Sequence, residues 1–143
     1  MSLIMNEYLD KLEKSGKSLH IYKNGKLVFS SSKKGVRPHL DALEEVGLAE
    51  LKGTIMVDKI IGRAAALLIL YVEAAESYAL VISEGAKQLF EKSRINYGYR
   101  IETENIKTED GVIYCPFEQM VQGIDEPEKA YHAIKTKMAE LQK

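Results

Sequence analysis

The stretch Gly53–Glu73, GTIMVDKIIGRAAALLILYVE, constrains the fold more than any other part of the chain. It predicts a short strand, Thr54–Val57, then a turn at Asp58 and a helix of about fourteen residues. Between Ile60 and Val72 only one glycine and one arginine are neither apolar nor aromatic. A helix that is apolar on nearly every side has to be covered by other elements. Because ~20 apolar residues are needed to cross a bilayer, this pattern predicts a core helix.

The start of this predicted helix carries the first candidate functional group. Asp58 is expected to be the N-cap, since its carboxylate can accept from the free amides of the first turn. Those amides and the helix dipole favour a negative charge at that end. Gly62, one turn further on, leaves room for close approach by another backbone or by a ligand. The simpler alternative is a capped core helix with no other role.

The bulk composition predicts one soluble globular domain over residues 1–143. Lys and Arg total 20 and Asp and Glu total 21, a balance that predicts neither a broad basic face for nucleic acid nor a polybasic membrane patch. With a single cysteine no internal disulfide can form, which fits a reducing cytoplasm. Met1–Met5 is too short for a secretory signal core, and Met1–Ile4 has the character of a remnant of an expression vector.

A hairpin is predicted near the N-terminus. Ser18–Lys23 and Lys26–Ser31 have the pattern of two strands, and Asn24-Gly25 between them is the strongest short-range hairpin signal. The side chains expected on its inner face are those of Leu19, Ile21, Leu27 and Phe29.

Strands and helices alternate after the hairpin. Tyr78–Ile82 is a continuous apolar run, as is typical of an interior parallel strand, and Ser83 is expected to cap the helix Glu84–Ser93. This order predicts a three-layer α/β/α domain around a mixed sheet of about five strands. Its core spans about residues 18–122, and an amphipathic helix covers about residues 127–141. The other predicted elements are the helices Met5–Ser15, Pro38–Val46 and Phe117–Val121 and the strands Ile95–Tyr99 and Val112–Tyr114.

Three segments carry a resemblance to a known family. They are VDKIIGRAAALLILY (Val57–Tyr71), ALVISEGAKQLFEKSRI (Ala79–Ile95) and YCPFEQMV (Tyr114–Val121). Together they resemble the prokaryotic domain of unknown function 1893, and the order of elements is similar to that of the cytidine-deaminase-like fold. The likeness covers about Ser18–Gln122.

The resemblance to true deaminases breaks at the metal. Zinc deaminases place a His or Cys with a Glu at the start of the central helix, and Pro-Cys-x-x-Cys at the start of the next one. The corresponding segments here, Asp58–Ile61 and Ser83–Lys87, hold neither thiol nor imidazole. Without those ligands there is no three-ligand zinc cage, and the three histidines share no motif. We therefore expect no zinc and no other cofactor.

The candidate site is expected where strands run into helices, because ligands of such sheets bind beyond the carboxyl ends of the strands. Cys115 is the predicted nucleophile, since a helix N-terminus favours the thiolate. Asp58 or Glu118 is the predicted acid–base, and Asp58 and Cys115 are expected to line one pocket if Val112–Tyr114 joins the sheet in parallel. The simpler alternative is a buried, inert cysteine beside helix caps and solvated charges. The predicted ligand-binding residues are Lys59 as an anion clamp, Gly62, Ser83 and Glu84.

Three interpretations stay open at this point. The first is a metal-free enzyme that acts on a small molecule through an Asp/Cys pocket. The second is a non-catalytic module that binds a nucleotide or another anion. The third is a homodimer formed through the apolar faces of Leu67–Tyr71 or of the C-terminal helix. The predicted partner is a small molecule, with no role for nucleic acid or membrane.

Overall fold

The computed structural model describes residues 3–104 and 116–141, with the side chains of all of these except Leu3 and Pro116. In this part of the chain helices alternate with strands to give an α/β fold. The helices are α1 (Leu3–Ser15), α2 (Arg37–Glu45), α3 (Leu48–Leu51), α4 (Arg63–Tyr71), α5 (Glu84–Ser93), α6 (Pro116–Met120) and α7 (Pro127–Leu141). The strands are β1 (Leu19–Lys23), β2 (Lys26–Ser31), β3 (Ile55–Ile61), β4 (Glu76–Ser83) and β5 (Asn96–Thr103).

The five strands form one open mixed sheet in the order β2-β1-β3-β4-β5. The pairs β2–β1 and β1–β3 are antiparallel, whereas β3–β4 and β4–β5 are parallel. This confirms the predicted α/β fold class with a mixed sheet of about five strands. The predicted strand Val112–Tyr114 lies outside the described residues, so the five strands seen here are all contributed by the chain before Glu104.

The predicted hairpin is present, with one error in its inner face. Asn24 and Gly25 both have positive φ, 51° and 79°, as the favoured two-residue hairpin turn requires. The register shifts after Ile21, so that Leu27 pairs with Tyr22 and is 50% exposed. The prediction that Leu27 faces the core was therefore wrong, because a shift of one residue sends a side chain to the opposite face of the sheet.

Helices cover both faces of the sheet. On one face α1 is the one helix among the described residues, and Gly98 of β5 allows the Met5 side chain of α1 to lie against the strand. The apolar residues buried on this face are Met5, Leu9 and Leu12 of α1 with Tyr22, Val57 and Tyr78 of the sheet. The larger core lies on the other face, where α4 packs against α5 and α7.

The central stretch differs from its prediction. Strand β3 continues through Asp58 to Ile61, and α4 has nine residues rather than about fourteen. The predicted turn at Asp58 and the predicted N-cap there were wrong. The reason is that Ile60 and Ile61 are β-branched residues that favour extended backbone, and they pair with β4. Gly62 is the N-cap of α4.

The interior of α4 confirms the prediction of a core helix. Leu67, Leu68 and Ile69 are buried, and Tyr71 stacks on Tyr131 of α7 with ring centroids 4.4 Å apart. Of the two apolar faces proposed for a homodimer, that of Leu67–Tyr71 is thus largely covered within the chain itself. No helix among the described residues is long and apolar enough to span a membrane.

Candidate functional site

Asp58 lies in a buried pair that the sequence did not reveal. It projects from β3 towards α2, where the Nε2 atom of His39 lies 2.7 Å from its Oδ2 atom. The side chains of His39 and Asp58 are only 3% and 8% exposed. His39 lies in the first turn of α2, directly after Pro38. The fixed φ of proline suits the first turn of a helix, so Pro38 helps to set where α2 begins.

The hydrogen bond defines what this pair can do chemically. With an ionised Asp58, the proton of the neutral imidazole is on Nε2 of His39, and this N–H donates a hydrogen bond to the carboxylate. The other ring nitrogen, Nδ1, is then an acceptor. A carboxylate that orients an imidazole in this way is the arrangement of a general base. Burying such a pair removes two charged or polar groups from water, a cost that the mutual attraction often does not recover.

Glu118 binds the free amides at the N-terminus of α4, a role that was expected of Asp58. Its Oε2 atom accepts from the amide of Arg63 and its Oε1 atom from the amide of Ala64, both at 2.9 Å. Burial raises the pKa of Glu118, while the two amides and the Arg63 guanidinium act in the opposite direction. Glu118 is therefore a partly buried carboxyl group at a helix N-terminus. Groups with a perturbed pKa are common in functional sites.

Arg63 ties the segment around α6 to the start of α4. Its Nε atom donates to the carbonyl of Val121 at 2.9 Å, and its Nη2 atom donates to the carbonyl of Ile124 at 2.8 Å and to the Asp125 carboxylate. Its side chain also lies against the start of α5, because a Cβ atom placed on Gly85 would be 3.8 Å from the Cβ of Arg63. The N-termini of α4 and α5 are therefore neighbours at one rim of the sheet.

The remaining predicted site residues fall at this rim or near it. Ser83 is buried and caps α5, its Oγ atom accepting from the amide of Ala86 at 3.1 Å. Glu84 is exposed in the first turn of α5. Lys59 is exposed, and as the next residue along β3 it leaves the strand on the face opposite to Asp58, so the two side chains do not converge. Cys115 lies outside the described residues.

Two residues of this region were missed by sequence reasoning. His39 stood alone without a motif, and the only local sign of its position was the proline before it. Arg63 was visible as the single charge in an otherwise apolar helix, which is a signal that it must be paired within the fold. Among the described residues, no group of three or more His, Cys, Asp or Glu side chains could hold a metal ion.

A second feature is a groove of about 400 Å³ between α2 and α7. It contains charges of both signs, since Arg37, Asp41 and Glu44 of α2 and Lys135 of α7 all line it. Asp41 is bonded to Lys33 at 2.8 Å. The groove is therefore mixed in charge rather than basic.

The comparisons with known proteins agree with the fold. The model of a domain of unknown function, DUF1893, matches residues 7–138 of the chain. Among solved structures, the chain is similar to the crystal structure of a DUF1893 family protein from Thermotoga maritima, with 28% sequence identity and a TM-score of 0.84. That likeness covers 96% of this chain and 92% of the other. No curated protein matches the chain.

Proposed function

The chain belongs to the DUF1893 family, and from that premise we propose that it is a metal-free enzyme acting on a small molecule, with His39 and Asp58 as its proton-transfer pair. The observation that carries the proposal is the buried hydrogen bond of 2.7 Å between them. The proposal retains Asp58 as an acid–base residue of the site and adds His39 as its partner.

The proposal gives each of the two residues a role. Nδ1 of His39 would accept a proton from the substrate, and the Asp58 carboxylate would stabilise the imidazolium that forms. A pair buried in this way is cut off from bulk water, which strengthens its electrostatic effect on a bound group.

The second candidate function is a non-catalytic module that binds a small molecule. The groove between α2 and α7 favours it, because a volume of about 400 Å³ lies in the range of small-molecule sites. The two functions differ in where a ligand binds. An enzyme ligand contacts His39, whereas a ligand of the groove contacts Tyr131 and Lys135 on α7.

Native mass spectrometry tests the proposal. The protein is measured first as purified and then after exposure to a cell extract of small molecules. We expect a ligand on the parent that is bound at least tenfold more weakly by Asp58→Asn, a change that keeps the side-chain shape. Asp10→Asn, which alters an exposed carboxylate of α1 paired with Arg100, is the matched control and should bind as the parent does. Equal occupancy in the parent and Asp58→Asn, or no ligand on the folded parent, would contradict the proposal.

Cys115 remains the predicted nucleophile of this site. A nearby carboxylate opposes formation of the thiolate, so Asp58→Asn should increase the rate of iodoacetamide labelling of Cys115 at neutral pH. Identical pH profiles of labelling in the parent and Asp58→Asn would place the two residues in separate environments.

A further inference from the structure

The groove between α2 and α7 is formed by one face of each helix. Side chains that recur every three or four positions line it, among them Arg37, Asp41 and Glu44 of α2 and Tyr131, Lys135 and Met138 of α7. His39 of α2 does not line the groove, because its side chain is bonded to Asp58 of the sheet. The groove is therefore separate from the buried pair of the proposed enzyme.

The apolar part of the groove is an open edge of the larger core. Leu40, Leu43 and Met138 line the groove and pack, half-buried, against that core. Tyr131 adds an aromatic ring that is held in place by its stack on Tyr71 of α4, with ring centroids 4.4 Å apart. A pre-formed apolar surface with a few polar groups is typical of small-molecule sites, since little has to be ordered when a ligand binds.

Two of the four charged side chains that line the groove are already paired. The Asp41 carboxylate lies 3.6 Å from the Arg37 guanidinium and 2.8 Å from the Lys33 ammonium. The other two are available to a ligand. In the described part of the chain the Glu44 carboxylate has no hydrogen-bond or ion-pair partner, and the Lys135 ammonium lies over an aromatic ring, 5.7 Å from its centroid, with no carboxylate partner. The groove thus offers one anion on α2 and one cation on α7.

We propose that the groove binds an apolar zwitterion, a chemistry that free apolar α-amino acids and short apolar peptides share. The ammonium of the ligand pairs with Glu44, its carboxylate pairs with Lys135, and its apolar side chain lies against Leu40, Leu43 and Met138. Charge complementarity carries the choice, because an anionic ligand without an ammonium would approach Glu44 unpaired, and a cationic ligand without a carboxylate would do the same at Lys135. The proposal rests on the second candidate function and names its ligand class.

NMR titration of the isotope-labelled protein tests the ligand class. The probes are L-leucine and leucyl-leucine. The matched compounds are N-acetyl-leucine, which lacks the ammonium, leucinamide, which lacks the carboxylate, and glycine, which lacks the apolar side chain. We expect leucine or leucyl-leucine to shift the amide signals of Glu44 and Lys135, and each matched compound to bind about fivefold more weakly than leucine or worse, as the loss of one partly exposed contact predicts. The tighter of the two probes identifies the source of the ligand.

Charge variants connect each end of the ligand to one residue. Glu44→Gln should bind leucine about fivefold more weakly and should no longer distinguish leucine from N-acetyl-leucine. Lys135→Gln should weaken binding to the same extent and should no longer distinguish leucine from leucinamide, since each variant removes the partner of the group that the compound lacks. Glu45→Gln and Lys137→Gln are the matched controls, because these residues lie on the same two helices and do not line the groove. Both should bind leucine as the parent does.

The proposal is overturned if neither probe binds the folded parent, or if Glu44→Gln and Lys135→Gln bind leucine as tightly as the parent. Asp58→Asn should leave this titration unchanged, so a failure here is separate from a failure of the proposed enzyme. If a ligand from the cell extract binds at Tyr131 and Lys135 and is not a zwitterion, the second candidate function stands and the ligand class proposed here is wrong.

Discussion

His39 of α2 and Asp58 of β3 are nineteen positions apart in the chain, and a buried hydrogen bond of 2.7 Å joins them. The bond crosses from a helix to the central sheet on the face that also packs α4. Neither residue has a second charged side chain bonded to it among the described residues. A polar pair placed in this way either fixes the position of α2 or serves a reaction, and the two roles predict different mutational results.

The interior of α4 should be the least tolerant element of the fold. Leu67 and Leu68 are 0% and 1% exposed, so Leu67→Ala and Leu68→Ala should each lower the free energy of unfolding by ~2–5 kcal/mol. Equilibrium urea unfolding measures the change. Leu27→Ala, at a half-exposed site on β2, is the control and should cost less than about 1 kcal/mol. Unmoved urea midpoints in both α4 variants would contradict the packing described here.

Ser77 and Thr54 should respond in opposite directions to the loss of their hydroxyl groups. The Oγ atom of Ser77 is buried and has no hydrogen-bond partner among the described residues, so Ser77→Ala should leave stability unchanged or raise it by ~1 kcal/mol. Thr54 donates to the carbonyl of Leu51 at 2.6 Å, so Thr54→Val should lower stability by ~1 kcal/mol or more. Thermal or urea unfolding of both variants measures the two changes in stability. A loss of stability in Ser77→Ala equal to that of Thr54→Val would show that the serine hydroxyl is satisfied.

The histidine beneath α1 should make stability depend on pH. Burial lowers the pKa of His20 below its ordinary value of 6.5, and the ammonium of Lys17 lowers it further. The unfolded chain therefore takes up this proton at a higher pH than the folded chain does. Stability is lost as the pH falls through 6.5.

Urea unfolding of the parent and of His20→Gln at several pH values between 8 and 5 measures this effect. His20 lies opposite Ser30 of β2 and Val57 of β3, and its Nδ1 atom is 3.3 Å from the hydroxyl of Tyr22. The stability of the parent relative to His20→Gln should fall on acidification. A difference that stays constant, or that grows at low pH, would rule out a neutral buried His20.

The parts of the fold that were predictable depend on local signals. Asn24-Gly25 dictated a two-residue turn through its backbone preferences, and Ser83 capped a helix whose observed bounds, Glu84–Ser93, are those predicted from its pattern. The prediction of a turn at Asp58 was wrong because the local pattern, a carboxylate before an apolar run, fits two structures. It is typical of a helix cap and also of a buried residue within a strand.

The candidate site was less predictable because its contacts are long-range. Glu118 reaches the start of α4 from 54 residues away, and no spacing rule connects such positions. The neighbourhood of Asp58 was expected, but its partner His39 depends on how α2 packs on the sheet. A single sequence indicates that a charge inside an apolar segment must be paired. It does not indicate which residue is the partner.

The most direct test of the account is a double-mutant cycle on His39 and Asp58, measured as the free energy of unfolding in urea. If the pair is kept for function, Asp58→Leu and His39→Leu alone should each lower stability by ~3–5 kcal/mol, because each leaves a buried polar partner unpaired. The double variant should then return to within about 1 kcal/mol of the parent or exceed it, while any ligand carried by the parent is lost. A double variant that is less stable than either single variant would contradict the account and would make the pair a structural link between α2 and β3.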